Sequence, residues 1–443
     1  MRRLLPLALL LTTALTAAHA AGPTRVVLPN GLVVIAVADR TSAIAGLHLA
    51  ARYDPVAARP GLAALSQQAL QLQLADLLRE DPWQELGQQV RGTHAVLLAN
   101  TEHDYCEVRA KVTSDLLPQA LQLAAKVLLG QVAPSAEQLQ GAREVLLASQ
   151  RDGSNAVIEG TYNCFLKALF GRRSWLARPV QGSTDALSAL TAADVAGFRA
   201  AYMTPNHAVL TLIGPRATDE LVDLARLAAG PYPAGAAAVA PAPAAVAPQP
   251  RVCVAQQPGW RGVSLMVGVP APTYGTPDFL KAQLIYTLLE GKGGRLAEDT
   301  ALRGGLGLNR IANRGQEPPA VTVLPPMAQP RPVLILHMVV MPRQMELARQ
   351  ELLKHFEVLK VEPPTAAELA RAKARLVNSY ARLRLDPANM TKALSCCELY
   401  GGDVALAWRA DDLIEAITGD DLVAVAKQYF GLHAIGVLMP GDE

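Results

Sequence analysis

Two stretches of the chain lie 227 residues apart and read alike. The first is SALTAADVAGFRAAYMTPNHAVLTLIGP, Ser188–Pro215; the second is EAITGDDLVAVAKQYFGLHAIGVLMPGD, Glu415–Asp442. Thr191 matches Thr418, Asp194 matches Asp421 and Tyr202 matches Tyr429, and His207 matches His433 after a one-residue gap. In both, Thr-x-x-Asp is a capping signal for a helix of about eleven residues. In both, an apolar run that reads as a strand follows, Ala208–Ile213 and Ala434–Met439. A sequence that repeats at this spacing builds similar units more than once, so it constrains the fold more tightly than composition does.

Further pairs extend the repeat. SAEQLQGAREVLLASQRD from Ser135 and TAAELARAKARLVNSYAR from Thr365 both open on a capping residue, with Gln138 or Glu368 three positions on. Both continue as long amphipathic helices. Each half opens on strand-like runs: Arg25–Val37 broken by the turn Asn30-Gly31, then Ala43–Ala51; later Arg251–Ala255, then Val263–Val269. Between the halves, AGPYPAGAAAVAPAPAAVAPQP is uncharged and rich in Pro and Ala, the composition of an extended, semi-rigid linker. The expected architecture is α+β: two homologous lobes, each a mostly antiparallel sheet with helices packed on one face. The lobes fall at residues 21–228 and 251–443, with the Pro/Ala linker at 229–250.

The front of the chain has a different character. Met1-Arg2-Arg3 is basic, Leu4–Ala17 is apolar, and Ala18-His19-Ala20 is an A-x-A end. This is the pattern of a secretory signal peptide over residues 1–20, so a periplasmic or secreted location is expected. The apolar run is too short to span a membrane, and no Cys stands at the cut to carry a lipid anchor. Removing Arg2 and Arg3 leaves 39 basic and 39 acidic residues, so nothing favours nucleic acid or an anionic membrane as partner. The five cysteines, Cys106, Cys164, Cys253, Cys396 and Cys397, show no C-x-x-C spacing. They read as buried small side chains with room for one bridge whose pairing stays open.

One helix start stands out, RPGLAALSQQAL at Arg59–Leu70, which places Ala64, Gln67 and Gln68 at i, i+3 and i+4. In sequence, VVLPNGLVVIAV precedes it. After it come RPVQGSTDALSALTAADVAGFRAAYMTPNHAVLTLIGP, PDFLKAQLIYTLLEGKGGRLAEDTALRGGLG, ELARAKARL and LYGGDVALAW. In order and spacing over about four hundred residues the chain resembles the pitrilysin/insulinase family of zinc peptidases, in its two-lobed bacterial form. RPGLAALSQQAL sits where that family has G-x-A-H-x-x-E-H. The resemblance puts the first ligand His on Ala64, the base Glu on Gln67, the second His on Gln68 and the third ligand, a Glu, on Ala148. Ala and Gln supply neither imidazole nor carboxylate, and neutral Gln is no base near pH 7. The expectation is a chain with no catalytic zinc of its own.

The family's second functional piece is an Arg and a Tyr seven apart in the other lobe, which grip substrate beside the zinc. The resemblance places the Arg at Arg303 and the Tyr position at Arg310. It implies a periplasmic, non-catalytic subunit that pairs with a zinc-bearing homologous peptidase subunit, or with itself, and acts on peptides through that partner. The alternatives are a non-enzymatic scaffold or peptide-binding protein, like the family members in respiratory complex III, and a peptidase whose ligands lie elsewhere. LEGKGGR lacks the spacing of a phosphate loop, and no G-x-S-x-G elbow occurs. TEHDYCE, Thr101–Glu107, reads as a polar surface strand with Glu102 and Asp104 on one face and His103 on the other. Gln67, Gln68, Gln71 and Gln73 read as a chamber wall or a solvated helix face. His48, His94, His337 and His355 stand alone and read as structural; His207 and His433 share a place in the repeat.

Overall fold

The computed structural model describes residues 22–92, 95–151, 156–237, 245–249, 251–290, 293–298, 321–324 and 332–441. Two mixed sheets organise them. The first takes β1 (Thr24–Val27), β2 (Val33–Ala38), β3 (Ile44–Arg52), β4 (Val96–Thr101), β5 (Tyr105–Thr113) and β6 (Ala208–Gly214) in the order β1-β2-β6-β3-β5-β4. The second takes β7 (Arg251–Pro258), β8 (Val263–Pro270), β9 (Val321–Leu324), β10 (Val333–Val340) and β11 (Ala434–Gly441) in the order β7-β11-β8-β10-β9. The second order repeats β2-β6-β3-β5-β4 with the same directions. One pair in each sheet, β2/β6 and β7/β11, is parallel and the rest are antiparallel.

The repeated sequence signals build equivalent elements. Thr191 and Asp194 form a capping box on helix Ala192–Tyr202, and Thr418 and Asp421 form one on Gly419–Tyr429, each helix 11 residues long. Thr365 and Glu368 cap Ala366–Arg384, and Ser135 and Gln138 exchange the same two bonds before Ala136–Arg151. Each box satisfies two amide donors that the first turn leaves open.

Strand periodicity assigns the faces. On β3, Ala45, Leu47, Leu49 and Ala51 enter the first core beneath helices Leu62–Leu77, Leu117–Leu129 and Thr218–Ala229. On β8, Val263, Leu265, Val267 and Val269 enter the second, with helices Pro277–Leu289, Met345–Leu359 and Ala366–Arg384. The intervening residues are buried as well, because each half lends the other a helix. Helix Pro387–Leu399 packs on the second face of the first sheet, against Ile35, Ala50, Val209 and Ile213. Helix Ala156–Phe170 packs on the second face of the second sheet, against Met266, Ile335 and Ala434. Such strands, covered on both faces, carry near-continuous apolar runs rather than alternation.

A disulfide, Cys164–Cys253, fastens helix Ala156–Phe170 to β7, with Cα atoms 5.4 Å apart. Cys106, Cys396 and Cys397 are free and buried. The Pro/Ala segment is tied down where it is described. Asn206 Oδ1 accepts from Gly235 N at 2.7 Å, His207 Nε2 lies 3.0 Å from Ala236 O, and Ala247 N donates to Leu169 O at 2.7 Å. His207 thus has an architectural contact. Among the described residues no helix is long and apolar enough to cross a membrane. Residues 1–20, read as a signal peptide, lie outside the described residues.

Candidate functional site

Helix Leu62–Leu77 follows Gly61, whose φ of +79° suits a residue without a side chain. The helix is not a solvated face. Ala64 is buried, and Gln67 is 2% exposed. Gln67 Nε2 donates to Asn100 O at 2.8 Å and Glu107 O at 3.0 Å, across the pair β4/β5, and its Oε1 has no partner among the described residues. Gln71 Oε1 accepts from Ala99 N at 2.7 Å, and Gln73 Nε2 donates to Ala133 O at 3.0 Å. Gln68 alone of the four motif glutamines is half-buried without such a bond. The glutamines therefore stitch the helix to backbone groups of its surroundings.

A residue that sequence reasoning did not single out completes this stitching. Arg199, on helix Ala192–Tyr202, is 1% exposed and meets no carboxylate among the described residues. It donates to Ser66 Oγ at 3.1 Å, Ser66 O at 2.9 Å, Gln73 Oε1 at 3.2 Å and the Val132 carbonyl. Burial pulls its guanidinium down to about 10. Its sequence signal, a lone Arg in an otherwise apolar helix, does not distinguish burial from exposure.

Helix Ala136–Arg151 crosses helix Leu62–Leu77, with Gly141 against Leu72 and Gln138 Nε2 donating to Asp76 Oδ2 at 2.8 Å. It carries Ala148, which is exposed, and Glu144, whose Oε1 accepts from Gln140 at 2.8 Å. Two packed helices thus carry the four positions Ala64, Gln67, Gln68 and Ala148. A zinc site needs three protein donors of the N, S or carboxylate kind. Ala64 and Ala148 have none, and Gln67 has its nitrogen committed to two carbonyls and only a neutral oxygen free. The residues at these positions do not fit zinc. Among the described residues no group of three His, Cys, Asp or Glu is placed to hold a metal.

TEHDYCE is not one strand but the tip of a hairpin, with Thr101 ending β4 and Tyr105–Glu107 opening β5. Glu102 N donates to Tyr105 O at 2.9 Å, closing a tight turn at His103-Asp104 between β4 and β5. The polar run marks a hairpin tip, and its charges face the C-terminal half. Glu107 and His48 are fully buried, with Nε2 and Oε2 2.7 Å apart, and Lys392 Nζ reaches Glu107 Oε2 at 3.2 Å and Glu102 Oε1 at 3.0 Å. Burial pushes the Glu107 carboxyl up, but the His48 hydrogen bond and the charge of Lys392 outweigh it and hold it at about 2. Asp104 is pushed up to about 6 by burial, which Arg52 and the Tyr400 hydroxyl at 3.0 Å oppose. These groups answer one another across the contact between the halves. His48 is therefore structural, as its isolation in sequence suggested, but its partner was not visible there. Arg303 and Arg310 lie outside the described residues.

Residues 189–376 match the family model described as the peptidase M16 inactive domain. A protease from Helicobacter pylori has a similar structure, with TM-score 0.76 and 18% identity over 95% of this chain and 100% of that one. The peptidase M16 inactive domain from Pseudomonas fluorescens gives 0.78 and 18% over 95% and 98%. A chain of complex III2 from Candida albicans gives 0.70 and 16% over 94% and 96%. Comparison with curated proteins returns no match. At these identities the structural likeness fixes the fold alone; the matched segment and the order of motifs around it carry the assignment. The match over residues 189–376 and the shared fold support a degenerate member of peptidase M16, the pitrilysin/insulinase family.

Proposed function

We propose that this chain is the non-catalytic subunit of a two-chain zinc metallopeptidase of the periplasm, acting on peptides. One observation carries the reading. The crossed helices that hold zinc in the family are kept, well packed and hydrogen-bonded, while Ala64, Gln67, Gln68 and Ala148 supply no ligand set. A fold retained without its chemistry is a fold retained for contact. In this reading two lobes, residues 21–228 and 251–443, arose by internal duplication and enclose half of a chamber. Peptide hydrolysis belongs to the zinc-bearing homologue, and Arg303 contributes a contact to substrate. The signal-peptide pattern of residues 1–20 supports the periplasmic location.

The test is isolation of the tagged protein from periplasmic extract, with mass spectrometry of what accompanies it. A stoichiometric homologue bearing H-x-x-E-H is the expected result, and Arg303→Ala in the pair then lowers peptide turnover. Recovery of the chain alone, or only with itself, overturns the pairing. About one zinc per purified chain overturns the claim of a silent site. A second reading, a non-enzymatic scaffold, draws on the fold shared with the Candida albicans complex III2 chain. It is favoured if stoichiometric partners accompany the chain and none carries H-x-x-E-H.

A further inference from the structure

The two halves differ at one sheet edge. In the first sheet β2 has a neighbour on each side, β1 and β6. Helix Thr218–Ala229 lies against its core face, where Val34 and Ala36 are fully buried. In the second sheet β7 stands where β2 stands, paired in parallel with β11 as β2 is with β6. Among the described residues no strand pairs with the outer side of β7. Residues 245–249 before it form no strand, and Ala247 N donates instead to Leu169 O on helix Ala156–Phe170. Val252 and Val254 lie opposite Ile435 and Val437, which belong to the second core. They therefore point to the face that Val34 and Ala36 occupy in the first sheet. Yet they are 60% and 57% exposed.

Single surface valines need no explanation, but two on one face of an open edge strand do. An open edge is a row of unpaired amide and carbonyl groups, which chains guard with lysines, prolines, bulges or a covering element. β7 runs for 8 residues with Arg251 as its one charge, at the start, and Pro258 as its one proline, at the end. Its register with β11 is unbroken by any bulge.

The strand is also complementary to itself. Two copies set antiparallel about Val254 place Arg251 opposite Gln257, Val252 opposite Gln256, Cys253 opposite Ala255 and Val254 opposite Val254. Pro250 and Pro258 then oppose one another outside this run, so every residue within it has an amide to donate. Opposed residues share parity, so the groups left free on one edge face those left free on the other. The single charge meets a side-chain amide, and the two Arg251 stand about 20 Å apart at ~3.4 Å per residue. A two-fold axis normal to the sheet keeps the valines of both copies on one face.

We propose that β7 is a self-association edge: it pairs antiparallel with β7 of a second copy of this chain, joining two five-stranded sheets and covering Val252 and Val254. The contact is isologous, with one patch used twice, and main-chain hydrogen bonds supply its specificity of direction. It supplies in a second chain what β1 supplies to β2 within the first half. This goes beyond the function proposed above and makes no use of a zinc-bearing homologue.

The test is sedimentation velocity of the purified chain across the micromolar range, with hydrogen exchange of the β7 amides followed by mass spectrometry on the same samples. A monomer–dimer equilibrium is expected, with these amides protected in concentrated samples and exchanging in dilute ones. Val254→Lys sets two ammonium groups opposite one another at the axis and weakens the dimer at least about tenfold. Val254→Thr keeps the branched, strand-forming shape and weakens it less. Val27→Lys, at a similarly exposed valine of β1, leaves the dimer unchanged. Circular dichroism like that of the parent identifies the variants that fold. A monomer at every concentration, a dimer as tight in Val254→Lys as in the parent, or a dimer whose β7 amides exchange freely overturns the proposal. Protection of β7 only on adding a co-purified homologue also overturns it, and gives the edge to that partner. The readout needs no homologue, so a pull-down that finds none leaves this inference standing, and a monomeric chain leaves the pairing above standing.

Discussion

The two places where the halves cross are alike in topology and different in physics. In each, a helix from one half lies on the open face of the other half's sheet. Helix Pro387–Leu399 brings charge to that meeting: Lys392 with Glu102 and with Glu107, which also pairs with His48, and a hydrogen bond between the hydroxyls of Thr211 and Ser395 at 2.7 Å. Helix Ala156–Phe170 brings close packing and a covalent bond: Phe165 against the strands, Cys164–Cys253, and Thr161, Ser264 and His337 as a short polar chain of 2.8 and 2.9 Å. The first crossing has its specificity in paired charges, the second in shape. Repeated topology sets where two surfaces meet; it leaves open which interactions hold them.

That contrast can be broken most severely at Gly436. A Cβ there would fall 2.5 Å from Phe165 N and 2.6 Å from Thr161 O, which are backbone atoms that no rotamer change can move. Gly436→Val should cost more than ~5 kcal/mol, at the upper end of overpacking effects, and be read as loss of the cooperative urea transition. The charged crossing fails differently. Lys392→Met leaves Glu107 buried with His48 alone, and removing one partner of a buried ionic group costs about 3–5 kcal/mol. Replacing the set together, His48→Leu, Glu107→Leu and Lys392→Met, should restore most of that loss in the same urea titration. A triple variant no more stable than Lys392→Met would mean that the charges are not the holding element. Opening the disulfide by Cys164→Ala and Cys253→Ala comes third. It frees a loop with a sequence separation of 89 and should cost about 2–4 kcal/mol. Combined with Lys392→Met, its effect should add, because the two act at separate crossings.

The sequence made some of this legible and hid the rest for physical reasons. Local signals were sufficient for the capped helices at Thr191, Thr365 and Thr418, and for the strands that follow them, because caps and periodicity act within a few residues. The hairpin at Asn30-Gly31 was equally local. The exchanged helices were not, since what covers the second face of a sheet is decided by contacts some hundreds of residues apart. The strands' near-continuous burial was the available hint. TEHDYCE misled for the same reason. Alternation within seven residues suggested a strand, yet the tight turn closed by Glu102 and Tyr105 and the distant Lys392 and Tyr400 decide the role of its acids. At the degenerate motif the residue types alone showed that Ala64, Gln67, Gln68 and Ala148 offer no imidazole or carboxylate. That Gln67 and Gln73 point into backbone acceptors rather than a chamber required the neighbours' positions.

The smallest effect separates the crossings by the pH dependence of their variants. His337 sits in the packed crossing, 8% exposed, and burial lowers it from 6.5 to about 4. The unfolded chain therefore binds more protons than the folded one between these values, so its contribution is complete above pH 6.5 and is lost as pH falls toward 4. At pH 5 the loss amounts to about 2 kcal/mol. Glu107, in the charged crossing, is held at about 2 against an ordinary 4.5, so its contribution survives to pH 4.5 and is lost only below. His103, also lowered by burial to about 4, adds to the first window, and Asp104 in the charged crossing, raised to about 6 from 3.8, opposes it there, so the informative quantity is a difference between variants. His337→Asn should flatten the fall in urea-unfolding free energy between pH 7 and 5 by about 2 kcal/mol, whatever its cost at pH 7. Lys392→Met should leave that segment unchanged and alter the curve below pH 4.5. Equal slopes for His337→Asn and the parent chain would show that the packed crossing does not titrate, and that its tolerance of a buried imidazole comes from solvent access rather than from a neutral ring.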